Sequence, residues 1–239
     1  MKPLKLLFAA IALSSIFGAG AAPAADLAVK AVPAVPVFSW TGFYAGVHGG
    51  AGVLFDAGYQ TVILNDKHGV GGLAGGQLGF NYQTGMLVVG IEAEGFWSGM
   101  KVTSDAFNAN TWFATATVRN RWDFDIAGRF GVAFDRALVY GKAGWVFGGF
   151  DWNYNTAFGY SNRASATLDG LLIGLGLEYA FLNNWTAKFE YDYLGFGARN
   201  VHFTEACTGG GCFLLPNGFT QNVSADKHIF KLGINYKTN

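Results

Sequence analysis

Charge is scarce in this sequence. Only 13% of its 239 residues are charged, about half the share in an average soluble domain, and 16 basic residues face 16 acidic ones. A chain with zero formal net charge lacks the basic stripe that nucleic acid needs. Proline is scarce too: of five, four lie at or before Pro36 and the fifth is Pro216. None interrupts an alternating stretch, which suits a sheet with all its ladder bonds in use. Long apolar runs are missing beyond the N-terminal segment. The most apolar later one, Leu171 to Phe181, is short and broken by Gly174, Gly176 and Glu178, which excludes a membrane-spanning helix. No nucleophile elbow and no His–Asp pair is found.

What the chain has instead is glycine, 35 residues, and aromatics at 16%. Residues 1–24 read as a cleaved signal peptide. Lys2 and Lys5 form its positive end, Leu6 to Phe17 its apolar stretch, and Ala22-Pro23-Ala24 its cleavage site. Residues 25–41, with Pro33 and Pro36, read as an extended Pro/Ala-rich periplasmic spacer. Residues 42–236 carry the pattern that decides the fold.

That pattern is clearest from Arg121 to Phe147. Trp122, Phe124, Ile126, Phe130, Val132 and Phe134 alternate with Arg121, Asp123, Asp125 and Arg129. Period two means a strand with one greasy and one charged face. After Asp135-Arg136 the alternation resumes, with Val139, Ala143, Trp145 and Phe147 opposed to Tyr140 and Lys142. Similar stretches occupy Gly42–Val53, Val70–Tyr82, Met86–Trp97, Leu168–Phe181, Trp185–Gly195 and Lys227–Tyr236. Their connections alternate between tight turns near 84, 135 and 183 and long segments at 54–69, 99–118, 149–167 and 197–226. Short turns at one end, long loops at the other and an even strand count predict an all-β, eight-stranded antiparallel up-and-down transmembrane β-barrel. A soluble sandwich or lipocalin-like barrel is the alternative; it would bury the greasy face and mix its loop lengths.

In such a barrel Tyr82, Phe134, Phe181, Trp185 and Tyr236 gather toward the turns, and Trp97, Trp122, Trp145 and Phe147 toward the long loops, as two aromatic girdles. The opposite face sends Glu92, Glu94, Arg121, Asp123, Asp125, Arg129, Lys142, Glu178, Lys188, Glu190, Asp192 and Lys231 into the lumen. Glu92 and Glu94 raise a glycosidase-like reading, but near-balanced charge favours a structural ion-pair network. Cys207 and Cys212, in the last long segment of an exported chain, read as a disulfide; a metal site with His202 is the alternative, lacking a fourth ligand. Gly69-x-Gly71-x-x-Ala74 matches a dinucleotide fingerprint in form only, because strand follows it where a helix is needed. No cofactor is expected.

One resemblance covers the mature chain. Ala25-Asp26-Leu27, the Pro-rich spacer and Phe38-Ser39-Trp40-Thr41-Gly42-Phe43-Tyr44-Ala45-Gly46 are similar to the alphaproteobacterial small immunogenic outer-membrane barrels, often labelled the porin family. Gly90–Glu94, Gly141–Gly144, Lys188–Tyr193 and the last strand continue the likeness. The resemblance implies an outer-membrane location. Its expected partners are membrane lipid, lipopolysaccharide and the outer-membrane assembly machinery, with Tyr236 near the aromatic terminus that members usually carry. A structural and surface-interaction barrel contributing to envelope integrity is the function it favours, ahead of a narrow transport pore and a rim hydrolase. Host or envelope proteins would meet the loop aromatics Phe107, Trp112, Phe113, Trp152, Tyr154, Phe158 and Tyr160, and lipopolysaccharide the basic residues Lys101, Arg119, Arg163 and Arg199. Long charged lumen side chains predict a closed interior, while the glycine-rich strands would open space in it.

Overall fold

The structure, a computed structural model, describes residues 38–55, 68–106, 114–156, 160–207 and 218–238. The signal peptide, most of the spacer and Cys212 lie outside the described residues, and so does the Cys207–Cys212 pairing.

Nine strands follow one another: β1 (Gly42–Phe55), β2 (His68–Thr84), β3 (Leu87–Ser98), β4 (Lys101–Ala106), β5 (Ala114–Phe134), β6 (Ala137–Thr156), β7 (Tyr160–Ala180), β8 (Trp185–Cys207) and β9 (Phe219–Lys237). Each pairs antiparallel with its neighbours, and the ring closes through β1–β9 and β3–β5. β3 and β4 both pair with β5 and together make one stave, interrupted at Gly99-Met100. There Gly99 N donates to Gly72 O at 2.9 Å and Asn120 N to Met100 O at 3.1 Å, so pairing to both neighbouring strands continues across the break. The barrel thus has eight staves in nine strand segments. Two of its tight turns use left-handed backbone, at Gly85 (φ 59°) and Asp135 (φ 54°); glycine and aspartate tolerate that region best.

From Leu171 to Phe181 the outward side chains are Leu171, Ile173, Leu175, Leu177, Tyr179 and Phe181, all exposed. Every other stave contributes to the same apolar belt, including Phe43, Val47, Leu78, Ile91, Ile126, Phe189 and Leu232. At ~3.4 Å per residue and a tilt of ~40°, the belt is about 25 Å tall. Soluble proteins do not expose apolar area on that scale. A hydrocarbon solvent accepts it, because a closed barrel leaves no unpaired backbone.

The strands outrun this belt. A bilayer needs strands of ~9–11 residues, whereas β8 has 23, and β5 and β7 have 21. Much of 99–118, 149–167 and 197–226, expected as loop, is therefore strand. In this extension the two faces exchange character. Val118, Phe150, Trp152, Leu168, Val201 and Phe203 point inward and are buried, while Arg119, Asp151 and Arg163 point outward. Alternation continues across the boundary, but the outer solvent changes from lipid to water, and the greasy face changes sides with it. Trp152 and Tyr154, expected as loop contacts, are accordingly inside the barrel. Phe107, Trp112, Phe113 and Phe158 lie outside the described residues.

The interior is stacked in layers. At the turn end Phe38 and Trp40 pack with Val88, Ala133, Leu138, Tyr140 and Ala180. Trp40 N donates to Gln83 Oε1 at 2.7 Å and its indole Nε1 to Asp135 O at 3.2 Å. The last residues of the expected spacer therefore form a lid across the barrel's turn-end mouth. Charged groups fill the middle. Above them an apolar core runs from Leu54, Phe96 and Met100 through Phe150, Trp152 and Phe196 to Val201 and Phe203.

Candidate functional site

Adjacent positions on one strand face are two residues apart, so Glu92/Glu94, Lys188/Glu190/Asp192 and Asp123/Asp125 each form a column directed inward. Antiparallel register then sets the columns side by side: Glu94 lies opposite Asp125 and Gln77, Arg129 opposite Lys142, and Glu190 opposite Lys231. Across the narrow lumen the opposite signs meet.

Glu94 is the hub. It accepts from Lys188 at 2.5 Å, from Lys142 at 2.9 Å and from Lys231. Glu190 is 2.9 Å from Lys142 and 2.7 Å from Lys231, and it accepts from the Tyr140 hydroxyl at 2.6 Å. Asp192 takes Lys231 at 2.6 Å. Toward the turn end Arg129 bridges Glu178 (2.7 Å) and Glu92 (3.4 Å). Its guanidinium lies over the Tyr140 ring at 3.9 Å. Glu178 also accepts from Thr186 at 2.5 Å and Asn235 at 2.8 Å, and Glu92 from Tyr44 at 2.8 Å. All of these residues are buried. Charges removed from water in this way persist only when paired and hydrogen-bonded.

Two members stand apart from the main network. Asp123 pairs at 2.5 Å with Lys227, whose ammonium sits 5.1–5.8 Å from the rings of Phe96, Phe150 and Phe196. Asp125 is fully buried, neither of its oxygens is hydrogen-bonded, and its ion-pair partner, Lys142, is 4.0 Å away. In the middle layer, counting Glu92, Glu94, Asp123, Asp125, Glu178, Glu190 and Asp192 against Arg129, Lys142, Lys188, Lys227 and Lys231, carboxylates exceed cations by two; a further buried cation, Lys237, lies at the turn end beside Phe38. Asp125 is the least compensated of the carboxylates.

Arg121 is not in the lumen. The β5–β6 register shifts between Asn120 and Trp122, which pair with Phe150 and Gly149. The extra residue is Arg121, and such a bulge reverses which parity faces inward. Asn120 and Asp123 both point in, while Arg121 points out and pairs with Asp151 at 2.9 Å. Tyr140 is buried beside Lys142 on the face that alternation gives it, while Lys227, His48, Gln77, Asn120 and Asn235 are further buried lumen groups outside the expected charge network. Lys227 lies four residues before Lys231, on the same face, and could have been found from that spacing. The polar neutral groups have no charge to mark them, but alternation sets them opposite the greasy face, where His48 Nδ1 meets Gln77 at 2.6 Å and Gln77 donates to Asn235 at 2.6 Å.

The expected girdle residues all stand on the outer wall. Tyr82, Phe134, Phe181, Trp185 and Tyr236 are exposed near the turns, and Trp97, Trp122, Trp145 and Phe147 are exposed toward the loop end. Trp185 meets Tyr236 edge to face, with ring centroids 5.2 Å apart, and Trp97 lies opposite Trp122 in register.

Glu92, Glu94 and Glu190 bring carboxylate oxygens within 4.8 Å of one another, close enough for a metal ion. Lysine ammoniums already occupy that space: Lys142 and Lys188 each reach all three carboxylates. The donor set is therefore that of an internal salt-bridge cluster.

A closed ring with a lipid-type belt and a polar, filled lumen is one of few ways a β-sheet can cross a membrane. The sequence agrees: residues 9–237 match the family described as outer membrane protein beta-barrel domain. The chain belongs to that family. It is similar to the 31 kDa outer-membrane immunogenic protein of Brucella melitensis biotype 1, with 33% identity over 243 residues, covering 92% of this chain and 94% of the relative. It is also similar to the 22 kDa outer membrane protein of Rhizobium leguminosarum bv. viciae, at 32% over 209 residues, covering 86% and 81%. Among solved structures, OprG from Pseudomonas aeruginosa matches with a TM-score of 0.51 at 12% identity, covering 85% of this chain and 99% of that one; at that identity the likeness concerns the fold. This barrel is thus an outer-membrane protein of an alphaproteobacterial type.

Proposed function

We propose that the protein is a closed structural and surface-interaction barrel that contributes to the integrity of the outer membrane and does not act as a diffusion pore or an enzyme. The observation that carries this is the layered lumen. The Trp40 lid, the ion-pair cluster around Glu94 and the apolar core around Trp152 each fill the cross-section in turn. A solute would have to break buried ion pairs and also cross an apolar layer, and both steps are costly. Glu92 and Glu94, the pair nearest to a glycosidase-like arrangement, are engaged by Lys142 and Lys188 and are not free for acid–base chemistry.

Single-channel recording of the refolded protein in a planar bilayer tests this. A quiet baseline up to high salt is expected. Stable steps that grow in proportion to salt would make the protein a transport pore.

A further inference from the structure

On the outer wall of β4–β7, just beyond the external Trp belt, we infer a binding site for the phosphorylated saccharide headgroup of an outer-leaflet glycolipid. Lys101, Arg119, Asp151 and Ser165 stand in one lateral row, each in register with the next. Arg163 occupies the following row, opposite Asn153. Arg121, turned outward by the bulge, leans into the same groove, which has a volume of about 560 Å³.

Charge and position together select the ligand. Asp151 is the one carboxylate lining the groove, and it is held by Arg121 at 2.9 Å and by the Ser165 hydroxyl at 2.7 Å. Lys101, Arg119 and Arg163 make no ion pair among the described residues, which leaves three cations in excess. Guanidinium forks favour phosphate over simple anions, because two parallel N–H donors match two phosphate oxygens. Three inter-strand steps of ~4.8 Å separate the strands of Lys101 (β4) and Arg163 (β7) laterally, about 14 Å, room for a disaccharide phosphorylated at both ends. Height supplies the lipid. Arg119 lies three residues beyond Trp122, or about 8 Å along the tilted barrel axis, and the headgroup layer extends ~5–8 Å past the hydrocarbon. Directly below, Trp97, Trp122, Phe124 and Trp145 face outward and are exposed. A ligand with acyl chains against that wall brings its phosphates to the arginines. The site lies outside the lumen, so it stands whether or not the barrel conducts.

The test uses the full-length protein refolded in detergent micelles, and it measures dissociation constants for bisphosphorylated lipid A, dephosphorylated lipid A and inorganic phosphate. The triple variant Lys101→Gln, Arg119→Gln, Arg163→Gln is expected to bind lipid A at least tenfold more weakly. Dephosphorylation is expected to weaken binding to the unaltered protein by a similar factor, and inorganic phosphate should compete only at far higher concentration. Heat-modifiable gel migration establishes that the variant is folded. The charge-keeping variant Lys101→Arg, Arg163→Lys should bind within about threefold of the original. Wild-type lipid A affinity in the triple variant, indifference to the phosphates, or equal competition by inorganic phosphate would each overturn the site. So would tighter binding of a soluble anionic polysaccharide than of lipid A.

Discussion

Tyr140 fills the space that a side chain at position 176 would need. A Cβ built on Gly176 falls 2.2 Å from Tyr140 Cζ, and the Tyr140 hydroxyl reaches past it to Glu190 at 2.6 Å. The same arrangement recurs across β1 and β2, where a Cβ at Gly79 would fall 2.3 Å from the hydroxyl oxygen of Tyr44, the residue that donates to Glu92. These glycines do not hollow the barrel. Each admits a tyrosine from the neighbouring strand, and that tyrosine closes the gap and feeds a hydrogen bond into the charge cluster.

Gly176→Ala should therefore destabilise the barrel by about 1–3 kcal/mol, the usual cost of overpacking a filled interior. Tyr140→Phe should lose only about 1 kcal/mol, since Glu190 keeps its lysines. Urea unfolding of the protein in lipid vesicles, followed by tryptophan emission, gives both values. If Gly176→Ala leaves the midpoint unchanged, the glycine is not reserved for the tyrosine.

The carboxylates of the cluster should differ sharply in what their loss does. Glu94→Gln leaves Lys142, Lys188 and Lys231 facing an amide where each had a carboxylate. Breaking a buried network on one side typically costs about 3–5 kcal/mol. Asp125→Asn removes a charge whose oxygens have no hydrogen bond and whose cation is 4.0 Å away; it should be neutral or stabilising. The same unfolding measurement, made on both variants, ranks them. A larger loss for Asp125→Asn than for Glu94→Gln would mean that the hub has been misplaced.

Alternation makes the membrane-embedded half legible in the sequence. The outward belt, the inward columns and the tight turns at 85 and 135 all follow from period two and from charge. The far half hides behind the same signal. Between Gly148 and Leu168 the pattern still alternates, but Phe150, Trp152 and Leu168 are inward apolar residues, whereas Glu178 and Lys142 mark the inward face lower down. A reader who expects one greasy face throughout sees the pattern lapse and assigns loop. The bulge at Arg121 is hidden for a related reason. Its two-for-one insertion keeps a charged residue beside Trp122, and only the pairing partners reveal that parity has changed. Likewise the lid residues Phe38 and Trp40 follow a proline-rich stretch, and nothing local distinguishes a lid from a spacer.

The exchange of faces can be tested within a single strand. Trp145 and Trp152 both lie on β6, seven residues apart, and an odd separation puts them on opposite faces. Trp145 is 46% exposed on the outer wall and Trp152 is 1% exposed, packed with Phe150 and Phe203 inside. In vesicles of brominated lipid, Trp145→Phe should remove a quenchable part of the emission, because that indole touches the acyl region. Trp152→Phe should remove emission that neither brominated lipid nor aqueous iodide quenches. Their truncations should differ as well. Trp152→Ala opens a cavity in the apolar core and should cost about 3–5 kcal/mol, whereas Trp145→Ala loses only contact with lipid. The cost of Trp152→Ala should fall on the strand extensions, so trypsin added to intact cells should begin to cut at Arg119 and Arg163, which paired strands protect in the unaltered protein. Quenching of Trp152 by brominated lipid would place it on the outer wall and remove the apolar layer from the lumen.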